Sequence, residues 1–354
     1  MLAWRMGELA SLIDARGTPC RRIGLLAYEG VLLLNIAGPS EVFSAANREL
    51  ARRFPDAEHP FYEVLALSPA GGLVGTSASI AIETSALPDL SVERFDTIAV
   101  AGGASVRAMS DNPQVLDWLR AGSARVARLA ALGGGVLVLA RAGLLDGRRC
   151  VAHWRNSGDI ATEFPRVTVD QGALFVRDGH VLTAAGFTSS MDLALEIIQE
   201  DFGKALAVEI AQMLVVARIR SGEQPQLSAE LRAQRATSPR IAKAAEWIVA
   251  NVHKRPSVAT IADRFAMSER NFSRSFTSAM GLSPKRFIEQ VRLETARRWL
   301  ASSDISMEMV AHCSGYSGGE HLAQTFKRSL GMSPMEYREQ MHITAAPAHG
   351  EGTP

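Results

Sequence analysis

Cysteine is scarce in this sequence, and the usual marks of a secreted or membrane-inserted protein are missing. Its three cysteines, Cys20, Cys150 and Cys313, are odd in number and far apart along the 354 residues. That pattern argues against a disulfide framework and fits a reducing cytoplasm. No apolar run reaches the roughly 18 residues of a membrane span, and the N-terminus, which contains Glu8 and Asp14, has no apolar signal core. We therefore expect a cytoplasmic protein without a membrane partner, and the sequence indicates no metal site and no cofactor.

A large net charge is missing as well, although the charge is unevenly distributed. The chain has 38 Lys and Arg against 37 Asp and Glu, a formal net charge of +1. Of these, 15 basic and 10 acidic residues lie between Ser238 and Met341, so the basic excess belongs to the C-terminal part. An excess of this size is weak support for nucleic-acid binding when taken alone. The length allows two domains, each with a core of its own.

The most informative feature is an internal repeat, in which residues 257–287 resemble residues 306–337. The pairs that recur at a spacing of 50 are Phe276 and Phe326, Gly281 and Gly331, Ser283-Pro284 and Ser333-Pro334, and Phe287 and Tyr337. A repeat of this length means that one supersecondary unit is used twice. The apolar spacing within each copy indicates a helix-turn-helix, and a long helix beginning at Pro284 would separate the two copies.

The second helix of the first copy has the composition of a DNA recognition helix. Ser268 is its expected N-cap, and Phe272 and Phe276 are expected to face inward. Such a helix needs apolar residues that dock it and polar donors that reach the bases. The residues predicted to contact DNA from this helix are Arg270, Asn271, Ser273 and Arg274. A merely solvated helix face remains the alternative interpretation for its two arginines.

The corresponding helix of the second copy is less typical. It begins at Gly318 and Gly319, where glycine costs about 1 kcal/mol relative to alanine. Glu320 and Gln324 are predicted to contact bases, and Lys327 and Arg328 are predicted to contact phosphates. We expect the first copy to supply more of the specificity.

The N-terminal two thirds alternate short apolar runs with helical stretches. This order predicts an α/β fold with a doubly wound, mostly parallel sheet of the flavodoxin-like kind. The sequence predicts a hairpin that turns at Asp178-Gly179 and a turn at Gly38-Pro39 that leads into a helix. It also predicts one continuous helix from 191 to 219. Residues 128–145 should pass from a strand through three glycines into a helix.

Both halves resemble known families. Residues 239–341 resemble the AraC/XylS-type DNA-binding domain in the doubled helix-turn-helix, the connecting helix and the G-x-S-P-x-x-[FY] ending of each copy. Residues 22–215 resemble the ThiJ/PfpI superfamily, with its class-I glutamine-amidotransferase-like fold. The text that carries this second resemblance is IGLLAYEGVLLLNIAGPSEVFSAAN, the AGG at 101–103, AGLLDGRRCVAHW and TAAGFTSSMDLAL. The combination resembles the GlxA-like regulators.

That resemblance implies a sequence-specific transcriptional regulator, usually an activator that contacts RNA polymerase, whose first domain senses a small molecule. The effector of similar regulators is often a nitrogenous metabolite, and two protomers commonly bind DNA together as a homodimer. The predicted boundaries are an N-terminal extension at 1–21, the sensor domain at 22–220, a linker at 221–238, the all-α DNA-binding domain at 239–341 and a disordered tail at 342–354.

Enzymes of the ThiJ/PfpI superfamily use a glutamate, a cysteine on a strained strand-to-helix elbow, and often a histidine. The matching positions here are Glu41, Gly133 and His153, and glycine supplies no nucleophile, so we expect no enzyme activity. An effector pocket is expected instead, and Asn35 stands where the family often has aspartate. The predicted pocket residues are Asn35, Glu41, Gly103, Gly133, Gly134, His153 and Trp154.

Simpler structural roles are open for several of these residues. His153 could be a packed, hydrogen-bonded histidine, Glu41 a buried structural carboxylate, and the three glycines from Gly133 a means of packing a helix close to a strand. Two other functions also stay open at this point. One is a ThiJ/PfpI-type hydrolase or hydratase with a fused regulatory helical domain, and the other is a constitutive DNA-binding protein with an inert sensor domain.

Overall fold

The computed structural model describes residues 20–217, 219–234, 238–330 and 332–343. They form two compact units, and the chain passes from the first to the second between Gln226 and Leu227. The predicted N-terminal extension and C-terminal tail lie almost wholly outside the described residues. At their inner edges the first strand already begins at Arg21, and the last helix continues to Ile343. None of the helices in the described part of the chain is long and apolar enough to cross a bilayer.

The first unit is built on a mixed sheet of eight strands. The described residues of this unit form ten strands, which in chain order are β1 (Arg21–Leu26), β2 (Tyr62–Ser68), β3 (Ala70–Gly75), β4 (Ala81–Ala86), β5 (Thr97–Val100), β6 (Arg128–Leu132), β7 (Arg149–Val151), β8 (Thr168–Asp170), β9 (Phe175–Asp178) and β10 (Val181–Ala184). The main sheet has the order β3-β4-β2-β1-β5-β6-β10-β9, while β7 and β8 form a separate parallel pair. Only the edge strands β3 and β9 run antiparallel to their neighbours. The predicted hairpin is therefore β9–β10.

Helices cover both faces of this sheet. They are α1 (Leu33–Arg53), α2 (Val106–Ser110), α3 (Pro113–Ser123), α4 (Gly135–Arg141), α5 (Ser157–Glu163), α6 (Ser189–Phe202) and α7 (Lys204–Met213). Successive residues of β6 point to opposite faces, so Ala130 and Leu132 join the apolar cluster of α1, α6 and α7. Leu129 and Ala131 join the cluster of α3 and α4. Strands buried on both faces are characteristic of parallel α/β sheets, and the predicted fold class is confirmed.

Two helix boundaries differ from the sequence prediction. Gly38 and Pro39 do not form a turn before the helix but lie well inside α1. A Cβ atom at Gly38 would come within 2.9 Å of Met191 Cγ, so this glycine lets α1 and α6 pack closely. Pro39 is buried and costs α1 one backbone hydrogen bond. The single helix predicted from 191 onward is interrupted at Gly203, whose φ of +88° favours glycine.

The described residues of the second unit form helices only. These are α8 (Ala229–Gln234), α9 (Pro239–Asn251), a 3₁₀ turn (Val252–Lys254), α10 (Val258–Arg264), α11 (Glu269–Met280), α12 (Pro284–Ser302), α13 (Met307–Cys313), α14 (Gly319–Leu330) and α15 (Pro334–Ile343). One apolar cluster joins α9 to α12 around Phe272, Phe276 and Phe287. A second one joins α12 to α15 around Phe326 and Tyr337. The repeated aromatic positions of the sequence are thus the two cores of a doubled helix-turn-helix.

The segment predicted as a linker, 221–238, is structured in its described part. The carbonyl oxygen of Gly222 accepts the N–H of Leu174 at 2.6 Å. The side chain of Gln226 donates to the carbonyl oxygens of Ala152 and Ala173, each at 3.0 Å. The side-chain amide of Gln226 therefore satisfies backbone carbonyl groups of the first unit. This part of the polar segment is not a solvated chain. Residues 229–234 then form α8, whose alanines pack in the core of the second unit.

Candidate functional site

Gly133 occupies a strained elbow at the carboxyl end of β6. Its φ is +58°, a conformation that L residues with a side chain rarely adopt. A Cβ atom there would lie 3.3 Å from Gly186 Cα and 3.4 Å from the carbonyl oxygen of Ala185. The N–H of Gly133 donates to the carbonyl oxygen of Ala184 at 2.7 Å, which fixes the elbow to β10. The turn thus has the strained backbone expected of a nucleophile position, while glycine leaves it without a reactive group.

The neighbouring glycines have different roles. A Cβ atom at Gly135 would meet the carbonyl oxygen of Val100 at 2.1 Å, so close helix–strand packing requires glycine there. At Gly103 a Cβ atom would meet the carbonyl oxygen of Gly30 at 2.6 Å, and packing again accounts for the residue. Gly134 has its nearest neighbour at 3.5 Å, an ordinary contact distance. Of the predicted pocket glycines, Gly103 is therefore explained by backbone packing and Gly134 is not.

Asn35 is the side chain that α1 contributes to the elbow. It is fully buried, and its Nδ2 atom lies 3.7 Å from the position that a Cβ atom of Gly133 would occupy. Its Nδ2 group donates to the carbonyl oxygen of Leu132 at 3.4 Å, and its Oδ1 atom accepts the N–H of Phe187 at 2.9 Å. Phe187 has a φ of +51°, which is unusual for a residue with a side chain. The amide therefore connects α1, the end of β6 and the turn after β10.

Glu41 is not among the nearest neighbours of the Gly133 elbow. It lies on α1 six positions after Asn35, which places it about 240° further around the helix axis. It is also exposed, so it is not the buried structural carboxylate that the sequence allowed. The prediction of Glu41 as a pocket residue depends on the family pattern alone, and it stays a prediction. Asn35 is the polar residue of α1 that reaches Gly133.

An aromatic cluster lies on the loop after β7 and the turn after β10. The imidazole of His153 has its centroid 5.5 Å from the ring of Trp154 and 5.8 Å from the ring of Phe187. Trp154 and Phe187 are 38% and 46% exposed, which is unusual for large aromatic side chains. Phe187 was not predicted from the sequence. A large apolar residue directly after Ala185-Gly186, the two residues that follow β10, is the signal that could have found it.

The surroundings of His153 favour its neutral form. Burial lowers the pKa of His153, and the positive charge of Arg155 lowers it further. Its Nδ1 atom accepts the backbone N–H of Arg155 at 3.3 Å, which leaves Nε2 as the protonated nitrogen. The guanidinium of Arg155 lies 5.0 Å from the centroid of the Trp154 ring. The cluster thus presents a hydrogen-bond donor beside aromatic faces, one of which already contacts a cation.

The first helix-turn-helix has well-capped helices. The hydroxyl oxygens of Ser257 and Ser268 accept backbone N–H groups at 3.1 Å and 3.4 Å, and so cap α10 and α11. Gly281, at a φ of +74°, ends α11. The predicted division of the helix is present, because Phe272 and Phe276 are fully buried. Three of the predicted DNA-contacting residues are exposed, namely Arg270, Asn271 and Arg274. The fourth, Ser273, is half-buried.

The second helix-turn-helix begins its recognition helix in an unexpected way. The carboxylate of Glu308 accepts the N–H of Gly319 at 3.0 Å, and a Cβ atom at Gly319 would approach that carboxylate to 2.8 Å. A negative charge at this end of a helix is favourable. The glycine therefore makes room for a cap from α13, which opposes the cost expected for glycine at this position. The remaining predicted contacts on α14 are all exposed: Glu320, Gln324, Lys327 and Arg328.

Comparison with known proteins shows which class of protein combines these two units. Residues 22–200, a little over half of the chain, match the DJ-1/PfpI family, and residues 261–340 match a helix-turn-helix domain. The chain belongs to the DJ-1/PfpI family, and its second unit is a DNA-binding domain. This combination of domains is that of HTH-type transcriptional regulators, as the sequence predicted.

Relatives of the whole chain have the same combination. The HTH-type transcriptional regulator CdhR of Pseudomonas aeruginosa is 29% identical over 81% of this chain and 85% of its own length. The HTH-type transcriptional regulator GlxA of Rhizobium meliloti is 27% identical over 94% of this chain and 99% of its own length. The first unit is also similar to an enzyme, the isonitrile hydratase of Pseudomonas putida, which is 30% identical over 54% of this chain and 75% of its own.

Proposed function

We propose that this transcriptional regulator binds a small effector at the Gly133 elbow and that the effector controls DNA binding by the second unit. The observation that carries the proposal is the elbow itself. Its strained backbone is kept, with Asn35 and the aromatic cluster of His153, Trp154 and Phe187 nearby, although glycine provides no nucleophile. A preserved site without its reactive atom is better suited to binding than to catalysis.

The thiols of the chain support a non-catalytic first unit. Cys150 is fully buried, and burial raises the pKa of its thiol to about 12. A thiol of this kind is almost entirely protonated at neutral pH and is a poor nucleophile. Cys20 lies at the start of β1, at the opposite end of that strand from the elbow, and its pKa is also raised by burial. Neither cysteine is a substitute for the residue missing at Gly133.

The chemistry around the elbow favours an effector with both a polar end and an apolar or cationic end. The neutral imidazole of His153 and the space at Gly134 suit a carboxylate or another hydrogen-bond acceptor. The exposed ring of Trp154 already stacks with a guanidinium, so it can also receive an ammonium group of a ligand. A small nitrogenous metabolite, such as an amino acid or a quaternary amine, combines these features. Asn35 in place of an aspartate removes one negative charge from the site.

The second unit would read two segments of the major groove. Arg270, Asn271, Ser273 and Arg274 are the proposed contacts of the first recognition helix. The proposed base contacts of the second are Glu320 and Gln324, with Lys327 and Arg328 at phosphates. We further propose that the protein acts as a cytoplasmic homodimer and as an activator that contacts RNA polymerase. These last features follow the pattern of similar regulators.

A thermal-shift screen of small metabolites on the full-length protein tests effector binding. A true effector raises the melting temperature, since a ligand at 100 times its Kd stabilises the folded state by about 2.7 kcal/mol. The Trp154→Ala variant should lose that response, whereas the Trp118→Phe variant, altered in α3, should keep it. The same metabolite should change the affinity of the protein for its operator DNA. A metabolite that stabilises both variants equally would place the effector elsewhere.

The similarity to isonitrile hydratase supports one competing function, a hydratase or hydrolase with a fused regulatory domain. That function needs a nucleophile or an activated water in a site where position 133 is glycine. It predicts turnover of isonitrile, amide or dicarbonyl substrates by the purified protein. Turnover that is abolished by His153→Ala would favour the enzyme, and its absence together with a thermal response to a metabolite would favour the sensor.

A further inference from the structure

The second unit contains a cavity of about 280 Å³ next to the second recognition helix. One wall consists of Lys285, Glu289 and Arg292, which follow one another on the same face of α12. The other wall includes Tyr316, from the turn before α14, and His321 and Arg328 of α14. This cavity belongs to no part of the effector pocket, and of the DNA contacts proposed above only Arg328 lines it.

Two hydrogen-bond donors in this cavity are buried without an acceptor. Tyr316 is only 2% exposed, and within the described residues its hydroxyl has no hydrogen-bond partner. The same holds for the Nε group of Arg292. Buried polar groups in folded proteins are nearly always paired, so two orphaned donors at one cavity indicate that an acceptor binds there. The ring of Tyr316 is fixed against His321, with their centroids 5.2 Å apart at 88°.

The charges around the cavity indicate what kind of acceptor fits. Lys285, Arg292 and Arg328 are cationic, and Glu289 is the carboxylate among the lining residues. Burial lowers the pKa of Arg292 although Glu289 lies near enough to oppose that shift, which means that the guanidinium is incompletely compensated. Burial raises the pKa of Tyr316, so its hydroxyl remains a donor at neutral pH. An anion with several acceptor oxygens would satisfy all of these groups at once.

We propose that this cavity binds a phosphate oxyanion, held by the Tyr316 hydroxyl, the Arg292 guanidinium and the side chains of Lys285 and Arg328. Its position on α14 suggests two sources for that phosphate. His321 lies about 60–120° and Arg328 about 40–100° around the helix axis from Glu320, Gln324 and Lys327. The cavity therefore borders the surface proposed to face DNA, where a backbone phosphate could enter it. A free phosphate ion or a phosphate ester in solution has the same chemistry and is the second source. Entry of a DNA phosphate depends on the proposed mode of DNA binding, whereas binding of a free phosphate does not.

Two variants test the site and one serves as the control. Tyr316→Phe removes only a hydroxyl, and Arg292→Gln removes one charge from the cavity. Arg298→Gln removes one charge from the same helix, but Arg298 lies nine residues beyond Glu289 and hence about 180° around the axis. Circular dichroism and melting temperature establish that each full-length variant is folded. Two measurements follow: the melting temperature in inorganic phosphate against chloride of equal ionic strength, and DNA affinity as a function of salt on several sequences.

A backbone phosphate in the cavity predicts that Arg292→Gln and Tyr316→Phe weaken binding to every DNA sequence, roughly tenfold for the loss of a hydrogen bond to a charged group. Arg292→Gln should also reduce the slope of log affinity against log salt by about 1, and Arg298→Gln should not. A free phosphate predicts that phosphate stabilises the wild-type protein and the control but neither cavity variant, with an unchanged salt slope. Variants that match the wild type in both measurements would overturn the proposal. If the wild type bound no DNA, the proposed DNA function would fail, while the phosphate measurement would still decide the cavity.

Discussion

The side chain of Asn35 holds the backbone of Phe187, with Oδ1 accepting its N–H at 2.9 Å. The Nδ2 group of the same amide donates to the carbonyl oxygen of Leu132 at 3.4 Å. One buried side chain therefore acts as an acceptor on one side and as a donor on the other. An amide can do this at neutral pH, whereas an ionised carboxylate can only accept. The exchange of the family's aspartate for asparagine thus suits a site whose central position is glycine.

Replacing Asn35 by aspartate should destabilise the first unit. The Asn35→Asp change leaves a carboxylate oxygen facing the carbonyl oxygen of Leu132 in a buried site, and we expect a loss of about 1–3 kcal/mol in the free energy of unfolding. Urea denaturation measures it. Asn112→Asp is the matched control, because Asn112 caps α3 only as an acceptor and aspartate caps equally well. If the two variants were equally stable, the hydrogen bond that Asn35 donates would make no contribution to the stability of the protein.

Replacing the glycines of the elbow by alanine, one at a time, should show which of them the backbone conformation requires. Gly133→Ala places a side chain at a φ of +58°, which costs about 1–2 kcal/mol, and the new Cβ atom also crowds Gly186. Gly134→Ala meets only an ordinary contact with Val106 and should change stability much less. Thermal unfolding of the two variants measures the difference. A Gly133→Ala protein as stable as the wild type would show that the strained elbow relaxes freely.

An ion pair between Arg220 and Asp192 connects the end of the first unit to α6. The Nε group of Arg220 donates to Asp192 Oδ1 at 3.1 Å, and the carboxylate side chain is 4% exposed. Arg220→Ala would leave that carboxylate buried without its partner, so we expect a loss of roughly 3 kcal/mol. Arg166→Ala, which breaks an exposed pair with Asp146, should cost about 0–1 kcal/mol. Chemical denaturation of both variants provides the comparison, and equal losses would contradict the burial argument.

His153 should make the folded protein less stable as the medium becomes acidic. Burial and Arg155 lower its pKa below the usual 6.5, so the unfolded chain binds a proton more readily than the folded one. The stability that depends on neutral His153 is present above pH 6.5 and falls as the pH drops towards the folded pKa. The His153→Gln variant should therefore lose less stability than the wild type between pH 7 and pH 5.5. Parallel curves for the two proteins would show that this histidine is not perturbed.

Some features of the sequence were sufficient to predict the structure, and others were not. The spacing of Phe276 and Phe326 predicted two helical cores correctly, because a repeated apolar pattern reports directly on packing. Gly38-Pro39 misled, because local turn chemistry was overruled by the close contact of Gly38 with Met191 from a distant part of the chain. Asn35, in contrast, is buried beside the elbow, whereas Glu41 stays a prediction from the family pattern. Because α1 continues through Pro39, the position of a residue around the helix axis determines whether its side chain faces the elbow.

Some contacts of the segment predicted as a linker, 221–238, could not be predicted from its polar composition. The boundary between the two units falls inside this segment, and Gln226, just before that boundary, uses its amide to satisfy two carbonyl oxygens of the first unit. Those carbonyl groups become available only when the sheet has formed, so a local reading of the sequence does not find them. The same applies to Gly319, whose role depends on the carboxylate of Glu308 eleven residues earlier.

The exposed arginines of α11 provide the most direct test of base reading. Arg274 is exposed and interacts only loosely with Asn271, at 3.3 Å between Nη2 and Oδ1, so it is available to a base edge. We expect Arg274→Ala to cost about 1–3 kcal/mol and to relax preference at one base position. Lys327→Ala, at a proposed phosphate contact, should instead weaken binding to all sequences alike and lower the salt slope by about 1. A mobility-shift series over single-base operator variants distinguishes the two outcomes. Uniform loss for Arg274→Ala would assign that arginine to the DNA backbone, and the specificity would then have to come from its neighbours on α11.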